Sequence, residues 1–218
     1  MKILSFGDSW TAGWGLKKHE KNFTEHLSKY FRCTSQNFGI SGSSLGHILH
    51  TFSKEIFIAK KTDLIVVIVP PDTRWYTEAG DNQVRSLMSN ESAYKNFVKD
   101  KTTYWFKYHH CLFIHSMYSI CMQKNLNAIF AHNYGNLDLV KPFNKLVPNN
   151  VFLDKKQSLT KLLEGQDYDN YSLEHDGPPE SGGNDNFIPG DTHPSEQGHR
   201  IIAKMLLKKY NEDLQRVE

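Results

Sequence analysis

At 218 residues, with 39% apolar and 12% aromatic side chains, the chain can bury one large core or two small ones, and no linker argues for two. Its 26 basic and 24 acidic residues nearly cancel, and the lysine pairs at 17–18, 60–61, 155–156 and 208–209 lie far apart in sequence. That spread argues against a nucleic-acid groove, and the lack of an apolar run of bilayer length argues against a membrane span. Three cysteines (Cys33, Cys111 and Cys121) make an odd count without metal-type spacing, as expected of reduced, buried thiols. With the first strand read from Lys2, no secretory leader is expected. The expectation is a single domain over 1–218 in the cytoplasm, with no nucleic-acid or membrane partner; oligomeric state is not legible.

In chain order, Ile3, Leu4 and Phe6 predict a short buried strand that runs into the tight turn Gly7-Asp8-Ser9-Trp10-Thr11-Ala12-Gly13. Behind a cap at Asn22, the positions Phe23, Leu27, Tyr30 and Phe31 recur at helical spacing. Ser35 to Phe38 reads as a second strand, followed by the turn-rich Gly39-Ile40-Ser41-Gly42-Ser43-Ser44. Leu45, Ile48, Leu49, Phe52, Ile56 and Ala59 mark the next amphipathic helix. Asp63 to Val69 reads as a strand with an unbroken Leu-Ile-Val-Val-Ile-Val run, the pattern of a strand covered on both faces, and Pro70-Pro71 stops it.

The stretch 72–125 reads as a helical insertion of two helices, with Tyr104, Tyr108, Cys111, Leu112, His115 and Met122 on one face of the second. Asn127 to Ala131 and Asn150 to Leu153 read as a fourth and a short fifth strand. Residues 166–190 are rich in Gly, Pro, Asp and Asn without periodicity, the signature of a functional loop. A last helix from about Pro194 carries Ile201, Ile202, Met205 and Leu206.

Strands alternating with helices imply an α/β fold: a parallel sheet of about five strands between two helical layers. Sites on such sheets lie beyond the carboxyl ends of the strands. Ser9, Gly39 to Gly42, Asp72 to Trp75 and Asn133 all follow strands, so they are expected at one rim. The loop before the last helix brings Asp191-Thr192-His193-Pro194-Ser195 to the same rim. A serine at one strand's exit and an Asp-x-His before a helix are the parts of a nucleophile, its base and the base's orienter.

These residues resemble the SGNH (GDSL-type) hydrolases, a superfamily of esterases, lipases, thioesterases and carbohydrate deacetylases on a flavodoxin-like α/β/α sandwich. Gly7-Asp8-Ser9 is similar to the family's first block, Asn37-Phe38-Gly39-Ile40-Ser41-Gly42 to its second, and Asp191-Thr192-His193-Pro194 to its fifth. The resemblance implies Ser9 as nucleophile, Gly42 as a backbone donor to the oxyanion, His193 as base and Asp191 as its orienter, with no metal or cofactor. Two blocks depart from the pattern. The third usually supplies an oxyanion asparagine, and here the strand ends in Pro70-Pro71-Asp72-Thr73-Arg74-Trp75. A carboxylate at Asp72 repels the developing charge, whereas Thr73 or Arg74 can donate to it; losing one donor costs about 10²–10³ in turnover. The acid and base are also one residue apart where most members have two between them, and Asp185 and Asp176 are the alternatives from the same loop.

The resemblance implies a serine esterase or deacylase acting on a small or glycan-linked acyl ester. Acyl transfer through the same acyl-enzyme is one alternative, and a degenerate fold kept for binding is the other. Blander readings attach to single residues. Gly7-Asp8-Ser9 can be turn and cap chemistry alone, and Asp191 a helix cap. Asp191, His193 and His199 as metal ligands match no familiar spacing. The histidines at 109, 110, 115 and 132 read as core or surface residues. Trp75 and Tyr76 either wall a pocket or pack, one of Trp10 and Trp14 is expected to line the acyl site, and Tyr104 to Tyr108 is expected to be core.

Overall fold

The computed structural model describes residues 1–71, 76–79, 83–86, 103–133, 146–154, 157–164, 185–189, 191 and 193–214. Four parallel strands make the central sheet: β1 (Lys2–Gly7), β2 (Thr34–Gly39), β3 (Leu64–Val69) and β6 (Asn127–His132), in the order β2-β1-β3-β6. Gly7 lies opposite Gly39, and Val69 opposite His132, so the strands end at a common rim. The chain moves from β1 to β2 on one side and then crosses back to β3 on the other. The order therefore reverses at β1, and sites on such sheets lie beyond the strand ends at that point.

Alternate residues of each strand enter the two helical layers, as the period of two requires. Leu4, Phe6, Ile65, Val67 and Phe130 face α3 (Leu45–Glu55) and α4 (Thr103–Gln123), whose Phe52, Ile114, Met117 and Cys121 fill that core. Ile3, Val66, Ile68 and Ile129 face α2 (Phe23–Phe31), α5 (Leu159–Glu164) and α6 (Glu196–Lys209), which contribute Phe23, Leu27, Leu163, Ile202 and Leu206. All six residues of β3 are buried, which is why its sequence carries no polar alternation. The three-layer α/β/α architecture matches the expectation.

Local signals account for most boundaries. Asn22 and Glu25 form a reciprocal capping box at the start of α2, satisfying two otherwise orphaned N–H groups. Ser44 caps α3 and Ser195 caps α6. Gly39 admits no side chain, since a Cβ there would lie 2.3 Å from the Ala12 backbone nitrogen. Close approach of β2 to the turn after β1 thus depends on that glycine.

Two expectations need correction. The fifth strand is a single parallel bridge, Phe130 to Phe152, supported by the Leu153 N–H donating to the Phe130 carbonyl at 2.8 Å. Of 72–125, the described residues hold α4, one of the two expected helices, and before it an antiparallel pair of β4 (Tyr76–Ala79) and β5 (Gln83–Ser86); the place of the other expected helix lies outside the described residues. The aromatic stripe at the start of α4 is not core: Tyr104 and Tyr108 are exposed and stack on each other, while Cys111, Ile114, Met117 and Cys121 face the sheet. A helix apolar on nearly all sides hid which stripe of α4 faces inward. The three cysteines are free, and burial pushes the Cys121 thiol up to about 12. Among the described residues, no helix is long and apolar enough to cross a membrane.

Candidate active site

The turn after β1 is built by its own residues. Asp8 caps the four-residue helix α1 (Ser9–Ala12), its Oδ1 accepting the Trp10 N–H at 3.1 Å. Gly13 takes the left-handed conformation that closes the turn, with φ 77°. Ser9 is the first residue of α1 and only 4% exposed. Its place directly after β1 puts its hydroxyl at the rim where the strand order reverses.

The other half of the site lies on the loop before α6. Ser195 caps that helix through the Gly198 N–H, while its own N–H and hydroxyl are held by the carbonyls of Asn186 (2.8 Å) and Asp185 (2.6 Å). The Asn186 side chain donates to the Leu163 carbonyl at 2.7 Å, tying the loop to α5. Within the loop, the Ile188 N–H donates to the His193 carbonyl and the Asp191 N–H to the Ile188 carbonyl, both at 2.9 Å. Phe187 bridges Pro194 and meets the Trp10 ring edge-on at 6.4 Å, so the loop is anchored on the residue next to Ser9.

Ser9 and His193, 184 residues apart, meet here: His193 Nε2 lies 2.8 Å from Ser9 Oγ. On the far side of the ring, Nδ1 lies 2.5 Å from Asp191 Oδ1. A carboxylate accepts, so Nδ1 carries the proton and Nε2 is left to accept from the serine. The arrangement can move a proton from Ser9 onto His193 and stabilise the charged ring. Asp185, an alternative orienter in the sequence, instead uses its carbonyl on Ser195. Asp72, Thr73, Arg74, Trp75 and Asp176 lie outside the described residues.

Gly42 follows β2 on the neighbouring strand and has φ 77°, a conformation that favours glycine. Apart from its own chain neighbours, no atom of the described residues lies within 4 Å of where its Cβ would be. Ser43, next along, contacts His47 Nδ1 at 3.2 Å; burial, then His50 and Lys54, lower the His47 pKa. Asn133, after β6, is the asparagine nearest in type to the missing oxyanion donor. Its amide is fully buried and donates to Asp8 Oδ2 at 2.9 Å, so it is already committed elsewhere.

Other candidates separate cleanly. Trp10 is core, 1% exposed, whereas Trp14 is 56% exposed. His199 is fully buried between α2 and α6, where its Nδ1 accepts the Phe23 N–H at 3.3 Å; burial, then His26 and His193, lower its pKa to about 3. Burial likewise lowers His110 to about 3, helped by His132. The sequence placed Asn133 at the same rim and Asp8 in a turn with cap chemistry, but carried no signal that their side chains meet. Among the described residues, no cluster of three or more His, Cys, Asp or Glu residues could hold a metal ion.

No protein-family model and no curated protein sequence matches the chain. Solved structures do. A member of the lipolytic protein G-D-S-L family from Veillonella parvula is 13% identical, with TM-score 0.50, covering 97% of this chain and 99% of that one. The acetylxylan esterase Axe2 of Geobacillus stearothermophilus, solved as a catalytic aspartate-to-alanine mutant, is 15% identical with TM-score 0.54, covering 95% and 93%. The psychrotrophic esterase EstA of a Pseudoalteromonas species, solved inhibited by monoethylphosphonate, is 14% identical with TM-score 0.51, covering 98% of both. The chain thus shares its fold with these G-D-S-L family and esterase structures, as the resemblance of its motifs led one to expect.

Proposed function

We propose that the chain is a serine esterase or deacylase that cleaves a small or glycan-linked acyl ester through an acyl-enzyme. One observation carries the reading: the continuous hydrogen-bonded line Ser9–His193–Asp191, with contacts of 2.8 and 2.5 Å, assembled from opposite ends of the chain. The lipolytic and esterase activities of similarly folded proteins support it.

Serine is a weak nucleophile while its hydroxyl stays protonated. As Ser9 Oγ bonds to the ester carbonyl carbon, His193 Nε2 takes the hydroxyl proton, and Asp191 stabilises the resulting imidazolium. The carbonyl oxygen becomes an oxyanion, for which the Ser9 and Gly42 backbone N–H groups are the donors assigned in this reading. Collapse breaks the ester C–O bond, and His193 returns its proton to the leaving alcohol. Water then attacks the acyl-enzyme with His193 again as base, restoring Ser9 and releasing the acid.

The half-buried His193 and Asp191 side chains, at 19% and 36% exposure, favour an enzyme over a degenerate binding module, because the base stays shielded but reachable. Rapid mixing of excess enzyme with p-nitrophenyl acetate tests the reading. The expected result is a burst of p-nitrophenol in the wild type that Ser9→Ala abolishes. Equal release by both proteins would contradict it.

A further inference from the structure

Asn133 sits at a junction of four chain segments and is fully buried. Its N–H donates to the Val69 carbonyl at 3.1 Å, extending the β3–β6 ladder by one rung. Its carbonyl accepts both the Thr160 N–H (3.1 Å) and the Thr160 hydroxyl (2.6 Å) at the start of α5. Its side-chain amide donates to Asp8 Oδ2 at 2.9 Å, across a sequence gap of 125 residues. The other carboxylate oxygen of Asp8 takes the Trp10 N–H. Asp8 thus accepts from both sides of Ser9's turn: from the residue after Ser9, and from the end of a strand two places away in the sheet.

Burying a carboxylate costs several kcal/mol unless its lone pairs find donors, and a side chain that supplies one is held firmly in return. Asp8 is fully buried, so its position is fixed by the donors that meet it. The backbone of Asn133 is pinned at both N–H and carbonyl, so its amide reaches Asp8 from a rigid base. Asn133 Oδ1 finds no hydrogen-bond partner among the described residues. A buried amide oxygen without a partner is costly, and the Nδ2–Asp8 contact offsets part of that cost.

We infer that Asn133 is a positioning residue for Ser9: through Asp8 it locks the nucleophile's turn to the ends of β3 and β6. This rests on the reading of Ser9 as nucleophile. Asn133 touches no reacting atom in this scheme. Its effect is to hold Ser9 Oγ at hydrogen-bond distance from His193 Nε2, where a displacement of about 1 Å can cost about 10²-fold in rate.

The test compares Asn133→Ala with Thr160→Val. Thr160→Val removes the hydroxyl bond to the Asn133 carbonyl while leaving the amide–Asp8 contact, and so controls for lost stability alone. Two readouts are taken: the rate constant for phosphonylation of Ser9 by a p-nitrophenyl alkylphosphonate, and the NMR resonance of His193 Nε2, which needs no turnover. Asn133→Ala is expected to slow phosphonylation about 10- to 100-fold and to move the Nε2 resonance. Thr160→Val is expected to change the rate by less than about threefold and leave the resonance in place. If Asn133→Ala does not fold, Asp8→Asn replaces it: the isosteric amide cannot accept from both Asn133 and Trp10, and a tenfold slower reaction is expected.

Equal behaviour of the alanine and valine variants in both readouts would overturn the inference. So would an unmoved resonance with an unchanged rate in Asn133→Ala, or in Asp8→Asn where it stands in. A wild type that is never phosphonylated, combined with a resonance that moves in Asn133→Ala, would reject Ser9 as nucleophile and leave the positioning intact.

Discussion

Asp191 Oδ1 faces His193 twice, accepting the backbone N–H at 3.2 Å and lying 2.5 Å from ring Nδ1. A single intervening residue suffices because the loop folds back on itself. Ile188 and His193 pair through their backbones, Asp191 donates to Ile188, and the carboxylate curls over its own turn. The shorter spacing is therefore compatible with the same acid–base contact that a longer one provides.

Asp191→Asn keeps this shape while removing the charge and offering an N–H in place of an acceptor. The ring then adopts the wrong tautomer, and kcat on p-nitrophenyl acetate is expected to fall by about 10³–10⁴ with KM nearly unchanged. A drop of less than tenfold would show that His193 does not depend on Asp191.

Trp10 and Trp14 are expected to diverge. Trp10 is buried against Phe187, and Trp10→Ala should cost about 3–5 kcal/mol of stability, read from the urea midpoint. Trp14 is exposed on the same turn, and Trp14→Ala should change stability by less than about 0.5 kcal/mol while raising KM for bulkier esters. Unchanged KM across a series from acetate to butyrate would remove Trp14 from the substrate site.

How legible the molecule was depends on the range of each interaction. The β3 run, the Asn22 capping box and the Gly7-Asp8-Ser9 turn are local, and the residues alone specify them. The pairing of Ser9 with His193 was legible only because each carries a recognisable motif. The Asn133–Asp8 contact was not, since nothing near either residue refers to the other. Helix α4 hid its inward face because Tyr104, Leu112 and Met122 are as apolar as the buried Ile114 and Met117. The Tyr76–Ser86 hairpin consists of two four-residue strands carrying Glu78 and Arg85, too short and too charged for a clear alternating pattern.

Stability should fall in mild acid. His199 and His110 are buried and neutral, with pKa values lowered to about 3, while in the unfolded chain they take up protons near the ordinary value of 6.5. Their folded pKa lies below the unfolded one, so the unfolded state binds more protons at intermediate pH. The stabilisation is complete above pH 6.5 and is lost as pH falls from there toward 3, at about 1.4 kcal/mol per pH unit for each histidine. Urea unfolding at pH 7 and pH 5 should show about 2 kcal/mol lost per histidine. Identical midpoints would mean that one or both rings are hydrated in solution.

Asp72→Asn addresses the unusual third block. If residue 72 lies at the oxyanion, removing its charge and supplying an amide donor should raise ester turnover, by up to about 10²-fold. Unchanged or lower turnover would assign the second donor elsewhere, with Thr73 and Arg74 as the neighbouring choices.

The central claim is that Ser9 becomes a nucleophile when His193 takes its proton. Peptide mass spectrometry after exposure to a p-nitrophenyl alkylphosphonate tests it most directly. The account predicts one adduct per chain, located on Ser9, absent from Ser9→Ala and formed far more slowly in His193→Ala. A folded wild-type protein whose Ser9 stays unmodified, or whose adduct lies on another residue, would contradict it.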